Sequence, residues 1–344
     1  MAHEVNPLHQ YPPGWYILCA SKSLGTRPRA VQVAGRHWAV FRSASGQVSA
    51  VEDRCLHRGM ALSTGTVCGE QLRCPYHGWE YGGDGAVRLV PAMKHRQGLP
   101  SDSLAALECC EADGYVFARV GETASSPHRF KHLGERGWSS FRMSTLFKAS
   151  VDACVENFLD CPHATFVHRH WFRAPTNKLV RCTVTTLHDG AQAEFFDEPR
   201  EKSVVWWLLS PRRGGMRHVD RFVSPHTTEV EYEFPNGLHY VITSSCTPVT
   251  HDVTRVHTVI GFRTVRGLGP LVRLVFEPLS RLIIRQDVRM LDAQQANLAR
   301  HAARPFVSTP ADVLGRHIQA WRRFALGDGP AVIAGTIEHV DLVL

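Results

Sequence analysis

The sequence has no apolar run long enough to span a bilayer, so stable membrane insertion is not expected. Its opening residues, MAHEVNPLHQYPPGWY, lack the charged start, apolar middle and small-residue cleavage site of a secretory signal, and the expected address is cytoplasmic. Long Lys/Arg blocks and interleaved aromatic repeats are missing too, which removes nucleic acid from the expected partners although the net charge is +7. That charge is spread over both halves as a solvated basic face, suited to an acidic redox partner. No Gly-x-Gly-x-x-Gly follows a strand-like run, and there is no plant-type Cys-x4-Cys-x2-Cys, so neither a nicotinamide site nor a second ferredoxin is encoded. Low-complexity stretches and internal repeats are absent. What is present is ordinary for a globular chain: 344 residues, 44% of them hydrophobic, with a soft expectation of two domains. Ten cysteines are scattered without an export signal, and most are expected to be reduced thiols.

From Gly14 to Val120 the runs GWYILCA, RAVQV, HWAVFR, QVSAVE and YVFARV are short, apolar or alternating, and separated by Gly, Pro and Ser. They predict a small all-β domain. Within it, Cys55-Leu56-His57 and Cys74-Pro75-Tyr76-His77 form two tight loops, each offering one thiolate and one imidazole. Two Cys and two His are the Rieske [2Fe–2S] ligand set, in which the histidine pair raises the potential above that of all-Cys clusters. Structural zinc also accepts these residues, but its modules usually pair Cys-x-x-Cys with His-x-x-x-His. Gly59, Gly65 and Gly78 are expected to let the backbone approach the cluster, and Pro75 to stiffen the second loop.

Residues 121–140, GETASSPHRFKHLGERGWSS, read as a polar connector. TLFKAS then predicts a strand, and KLVRCTVTTL, AQAEFF, KSVVWWLL, HVDRFV, TTEVEYEF, LHYVITSSC and VTRVHTVIGFR predict one large antiparallel sheet. Two amphipathic helices are expected, from about Pro270 to Ala299 and from about Ala311 to Leu326.

Between the first strand of this half and the rest lies ENFLDCPHATFVH, which places Asp160, His163 and His168 in one short run. Two imidazoles and a distant carboxylate make the facial triad that holds non-haem Fe(II) with coordination positions left open. His163 and His168 are five residues apart, about 140° out of phase on a regular helix. Pro162 supplies a reason for a kink or π-bulge that would realign them. His168-Arg169-His170 offers a second imidazole, and Asp287 and Asp292 on the long helix are both candidates for the carboxylate. Asn157, Phe158, Leu159, Trp206 and Trp207 are candidate pocket residues, although core packing is the commoner use of such side chains.

Cys55-Leu56-His57-Arg58-Gly59 and Cys74-Pro75-Tyr76-His77-Gly78-Trp79 resemble the ferredoxin-type Rieske domain of ring-hydroxylating oxygenases. Met60 and Tyr76 stand where the respiratory branch carries extra cysteines. Asp-x-x-His-x-x-x-x-His and the Ala-Gln-Gln that follows Asp287 extend the resemblance to the second half, and hence to the Rieske non-haem iron oxygenases as a family. The resemblance implies an α+β chain: a Rieske domain over 10–120, a linker over 121–140, and a helix-grip, START-like catalytic domain over 141–344 with a large antiparallel sheet and long C-terminal helices. It implies Cys55, His57, Cys74 and His77 as cluster ligands, and His163, His168 and Asp287 as ligands of a mononuclear Fe(II). Asp160 would bridge subunits of a head-to-tail homotrimer, hydrogen-bonding His163 and the neighbouring chain's cluster histidine through its carboxylate. The implied activity is that of a terminal oxygenase of the short, single-subunit type. It would use O2 and electrons from a separate ferredoxin or flavin reductase, fed indirectly by NAD(P)H, to hydroxylate or demethylate a mid-sized, partly apolar aromatic, alicyclic or natural-product substrate. Cis-dihydroxylation is the second reading; a Rieske electron carrier fused to a ligand-binding domain is the alternative of another class.

Overall fold

The computed structural model describes residues 11–93, 98–169, 171, 176–196, 198, 215–264 and 267–344. His95, His170, Trp206, Trp207 and the expected strand KSVVWWLL lie outside the described residues. The chain divides into two compact units, Met1–Arg129 and Phe130–Leu344. Among the described residues no helix is long and apolar enough to cross a membrane.

The first unit is built from short strands: β1 (Gly14–Ala20), β2 (Arg29–Val33), β3 (Arg36–Arg42), β4 (Val48–Glu52), β5 (Thr66–Cys68), β6 (Gln71–Arg73), β7 (Glu80–Tyr81), β8 (Val87–Leu89), β9 (Ala106–Leu107), β10 (Cys109–Ala112) and β11 (Tyr115–Val120). They pair in three sheets, β1-β11-β10, β2-β3-β4-β9 and β5-β6-β7-β8. Tyr16, Trp38, Val40 and Val116 fill one core; Phe41, Leu62, Leu72 and Tyr81 fill a second. The second core also takes in Cys55 and Cys74, so both thiols are anchored in packed apolar surroundings. The loop with Cys55 follows β4, and the loop with Cys74 joins β6 to β7.

The second unit is organised by one sheet of eight antiparallel strands: β12 (Trp138–Phe147), β13 (Leu179–Thr186), β14 (Gly190–Phe196), β15 (Arg217–Val223), β16 (Thr227–Glu233), β17 (His239–Thr250), β18 (Val253–Arg263) and β19 (Ile337–Val343). The spatial order is β12-β18-β17-β16-β15-β14-β13-β19. Residues of β13 alternate between buried and more exposed, as a strand with one face on a core must. Among the described residues the unit also has four helices: α1 (Val151–Leu159), α2 (His163–Phe166), α3 (Gly269–Leu298) and α4 (Gly315–Ala325). Helix α1 packs against β15–β18 and touches α3 and α4.

Strand β12 starts at Trp138, paired with Arg263 of β18, within the stretch read as a connector. The loosening expected between Asp160 and His168 is there, as a break between α1 and α2 with no π-bulge among the described residues. Asp160 leaves helical space (φ −86°, ψ 96°), and Pro162 disfavours helix at the residue before it, which ends α1. Finally, the chain does not end in helices: IEHVDLV forms β19 and closes the sheet edge against β13. Those residues alternate in burial, with Ile337, His339, Asp341 and Val343 exposed and Glu338, Val340 and Leu342 turned inward.

Candidate metal centres and active site

The two cysteine loops of the first unit repeat one hydrogen-bond plan. Each cysteine amide donates to the carbonyl five residues on, Cys55 to Met60 and Cys74 to Trp79, both at 2.8 Å. Each glycine four residues on donates back to the cysteine carbonyl, Gly59 to Cys55 at 2.8 Å and Gly78 to Cys74 at 3.2 Å. Closing those turns puts Gly59 and Gly78 in left-handed space, φ 70° and 72°, where a side chain would be strained. Gly65 serves differently from the expectation: a Cβ there would lie 2.1 Å from the Arg73 carbonyl, so it permits contact between chain segments.

The plan buries the thiols and leaves the imidazoles toward solvent, His57 half-buried and His77 exposed. The two rings meet edge to face at 4.5 Å, and Trp79 stacks on His57 at 5.0 Å. Burial raises the Cys74 thiol, and the adjoining Cys55 sulfur adds to this; burial and then the neighbouring His77 and Arg58 lower His57. The Nδ1 of His57 is buried with no hydrogen-bond partner among the described residues. Two converging thiols, two converging rings and a buried, unpartnered ring nitrogen fit a [2Fe–2S] cluster. Sequence reasoning missed Tyr81. Its hydroxyl accepts the Leu56 amide at 3.1 Å and lies 3.1 Å from the Cys55 sulfur, toward which its own proton is therefore free to point.

In the second unit the break after α1 brings His163 and His168 to one point. Their rings meet at 5.2 Å, and both face Asp287 of α3. His168 Nε2 is 3.1 Å and His163 Nε2 3.6 Å from Asp287 Oδ1. Each ring's other nitrogen is already committed. The Nδ1–H of His168 donates to Gln286 Oε1 at 2.8 Å, and that of His163 donates to the main-chain carbonyl of Asp160. With Nδ1 committed on both rings, Nε2 of each is the atom left to face Asp287, through a proton or through a metal ion. Among the described residues Asp287 Oδ1 is buried without a hydrogen-bond partner. Burial by itself would raise the Asp287 carboxyl, but the two imidazoles outweigh it and hold the group down to about 2. Three acceptors within 4.8 Å of one another, His168 and Asp287 buried and His163 half-buried, fit a cation, and two imidazoles with one carboxylate suit non-haem iron.

A pocket of about 780 Å³ of free space, counted to its open mouth, ends on these three residues. Met143, Phe158, Val230, Ile242, Ile283 and Ile284 make its walls largely apolar. Hydroxyls interrupt them: Ser244 and Thr258 bond each other at 3.1 Å, and Tyr240 remains protonated because burial pushes its phenol up to about 12. Among the described residues, no charged side chain other than Asp287 and the two histidines lines the pocket.

Among the described candidate pocket residues, Phe158 alone lines this cavity. Leu159 is 3% exposed in the apolar core with Val155, one helical turn before it; consecutive residues of a helix point about 100° apart, so both cannot face the cavity. Asn157 is not a lining residue, and its side-chain amide nitrogen is buried without a partner among the described residues. Asp292 stands apart from the triad and accepts the Lys148 amide at 3.1 Å. Asp160 meets His163 through its main-chain carbonyl, where the resemblance implied the carboxylate. That carboxylate is half-buried; burial raises it, while the His163 ring and amide draw it down again. Gln286 was not foreseen, and its place beside Asp287 on α3 was the available signal.

Residues 14–109 match the Rieske [2Fe-2S] domain, and residues 147–326 match the vanillate O-demethylase oxygenase C-terminal domain. The chain is 34% identical over 329 residues to chlorophyllide a oxygenase of Chlamydomonas reinhardtii, covering 90% of this chain but 49% of that protein, so it spans about half that relative's length. It is 25% identical over 331 residues to methylxanthine N1-demethylase NdmA of Pseudomonas putida, covering 90% and 87%. The crystal structure of dicamba monooxygenase bound to dicamba superposes with a TM-score of 0.75 over 91% of this chain and 97% of that one; at 20% identity this is a likeness of fold.

Proposed function

This chain belongs to the Rieske oxygenases, with a catalytic domain of the vanillate O-demethylase type, and on that premise we propose that it is a terminal oxygenase that monooxygenates a neutral, mid-sized, largely apolar molecule. The observation that carries the reading is the convergence of His163, His168 and Asp287 at the end of a pocket with apolar walls. In this reading residues 10–120 hold the cluster through Cys55, His57, Cys74 and His77, and residues 141–344 hold the mononuclear iron through the triad. When bound, the cluster supplies electrons singly and the iron supplies activation of O2.

The chain's own residues supply position and exclusion. Gln286 and the Asp160 carbonyl hold the Nδ1 protons and orient both rings, so that each neutral ring would present Nε2 to the metal. Phe158, Val230 and Ile242 shed water and admit apolar substrate, and the Ser244–Thr258 hydroxyl pair gives one wall a polar handle that orients it. The absence of a lining Lys or Arg among the described residues disfavours carboxylate or phosphate substrates. One oxygen atom enters the substrate and the other leaves as water, consuming two electrons and two protons. The names of the relatives, an N1-demethylase, a monooxygenase and an O-demethylase, favour hydroxylation or demethylation.

The electrons come from a separate ferredoxin or flavin reductase. We read the working unit as a homotrimer in which Asp160 links His163 to the partner subunit's His77. The test is incubation of purified protein with a surrogate reductase and NADH under ¹⁸O₂ and a metabolite extract, compared by mass spectrometry with Asp287→Ala. One labelled oxygen, or loss of a methyl group, in the wild type alone is the expected result. Two labelled oxygens would make it a dihydroxylating enzyme; no product from a reduced cluster, with no mononuclear iron bound, would make it an electron carrier.

A further inference from the structure

A second set of metal-type ligands stands in the second unit, unused by the chemistry above. His132, Glu231 and His239 each present one ligand atom, and the three atoms lie within 4.8 Å of one another. Glu231 on β16 and His239 at the start of β17 are diagonal neighbours across the strand pair, since Glu231 is opposite Val241 and His239 opposite Glu233. The nearest pair is already in contact, His239 Nε2 being 2.6 Å from Glu231 Oε1. His132 arrives from the segment before β12, held in left-handed backbone at φ 57° and stacked on Trp138 at 3.9 Å. Its ring meets that of His239 at 5.5 Å.

We propose that His132, Glu231 and His239 form a second metal site, for a divalent first-row transition ion such as Zn²⁺, that clamps the segment before β12 onto the β16–β17 hairpin. The surroundings are those of a built ligand set. His132 Nδ1 donates to Glu135 Oε2 at 2.9 Å, which leaves Nε2 as the ligand nitrogen in a carboxylate–histidine–metal relay. Glu231 keeps one oxygen for Lys131, 3.0 Å away, and has the other for the ion. Three carboxylates, Glu135, Glu229 and Glu231, face two cations here, Lys131 and, through Glu229, Arg221 at 3.7 Å, so a further positive charge is accommodated. Glu231 and His239 are mostly buried, with side chains 14% and 16% exposed, whereas His132 is open enough to let an ion enter. Two imidazoles and one carboxylate leave a fourth position for water in the tetrahedral preference of zinc. The competing arrangement is a direct His239–Glu231 hydrogen bond, and it needs neither His132 nor a metal.

Equilibrium dialysis of full-length Asp287→Ala protein, cluster intact, against Zn²⁺ with metal quantification decides between them, because that background breaks the triad of the first site. One zinc per chain is expected. It should be lost, or bound about 100-fold more weakly, in protein that also carries His132→Ala or His239→Ala, and weakened about 10-fold by Glu135→Gln. Zinc should also raise the Tm of the Asp287→Ala protein and leave that of the His239→Ala combination unmoved. Wild-type holoenzyme with its triad filled by iron gives the same readout should the Asp287→Ala variant fold poorly. No zinc bound in either background, or binding indifferent to His132 and His239, overturns the site.

Discussion

A single oxygen atom separates the two aspartates on α3. Asp287 Oδ1 faces two imidazoles, whereas Asp292 Oδ1 accepts a main-chain amide, so their alanine variants should part company. Asp287→Ala should lose mononuclear iron and turnover while keeping the visible spectrum of its cluster; Asp292→Ala should keep both and lose only stability, about 1 kcal/mol for one hydrogen bond. Metal quantification beside a thermal melt reads both, and an iron-free Asp292→Ala would reverse the assignment. Tyr81 offers a second test. Its hydroxyl beside the Cys55 sulfur stabilises the more negative, reduced cluster, so Tyr81→Phe should lower the reduction potential without loss of iron. Protein-film voltammetry measures that directly. The cysteines and histidines were legible as residue types in a rare spacing. Tyr81 and Gln286 were not, because a hydrogen bond from a distant segment leaves no local pattern.

At the scale of elements, the site depends on where α1 stops and α2 begins. Ser150 starts α1, its side chain accepting the Ala153 amide at 3.2 Å, with Asp152 in the first turn. Ser150→Ala should cost about 1 kcal/mol, a fall of about 2–4 °C in Tm for a unit of this size, with the cluster spectrum unchanged. Differential scanning calorimetry checks it; an unchanged Tm would mean that packing alone holds the helix start. Strands β1–β4 and β11 of the first unit and the long helix were readable because period-two and period-3.6 patterns survive in short windows, whereas the two- to four-residue strands β5–β10 were too short to read. Strand β19 was not read, since Glu338, His339 and Asp341 break the apolar/polar alternation of IEHVDLV, which gains its place by pairing with β13.

Across the whole molecule, two buried histidines set opposite limits on pH. His218 is enclosed by Glu198 at 2.6 Å and Asp220 at 2.9 Å, between the rings of Phe195 and Tyr232. Burial alone would lower it, but Asp220 and Glu198 raise it from 6.5 to about 9. Its contribution to stability is therefore complete below pH 6.5 and lost as pH climbs through 9. His257 runs the other way. Burial, then Arg255, lowers it from 6.5 to about 3, so its contribution is complete above pH 6.5 and declines as pH falls toward 3. Thermal melts should show greatest stability near neutrality, with the alkaline fall reduced in His218→Gln. A variant melting with an unaltered alkaline limb would remove His218 as its cause.

The sequence by itself determined the chemistry available to this protein: the Cys/His loops, the Asp-x-x-His-x-x-x-x-His run and the alternating strands are all local patterns that constrain the chain over a few residues. The tertiary structure decided which of those groups act together. It chose Asp287 over Asp292, gave the His163 proton to a carbonyl instead of a carboxylate, turned Phe158 into the pocket and Leu159 into the core, and brought His132 to Glu231 and His239. For the pairing of the two histidines with Asp287 and Gln286 the physical reason is long-range packing. Donor and acceptor pairing in a buried site depends on orientations of about an ångström across segments more than a hundred residues apart, and only the packed sheet supplies them.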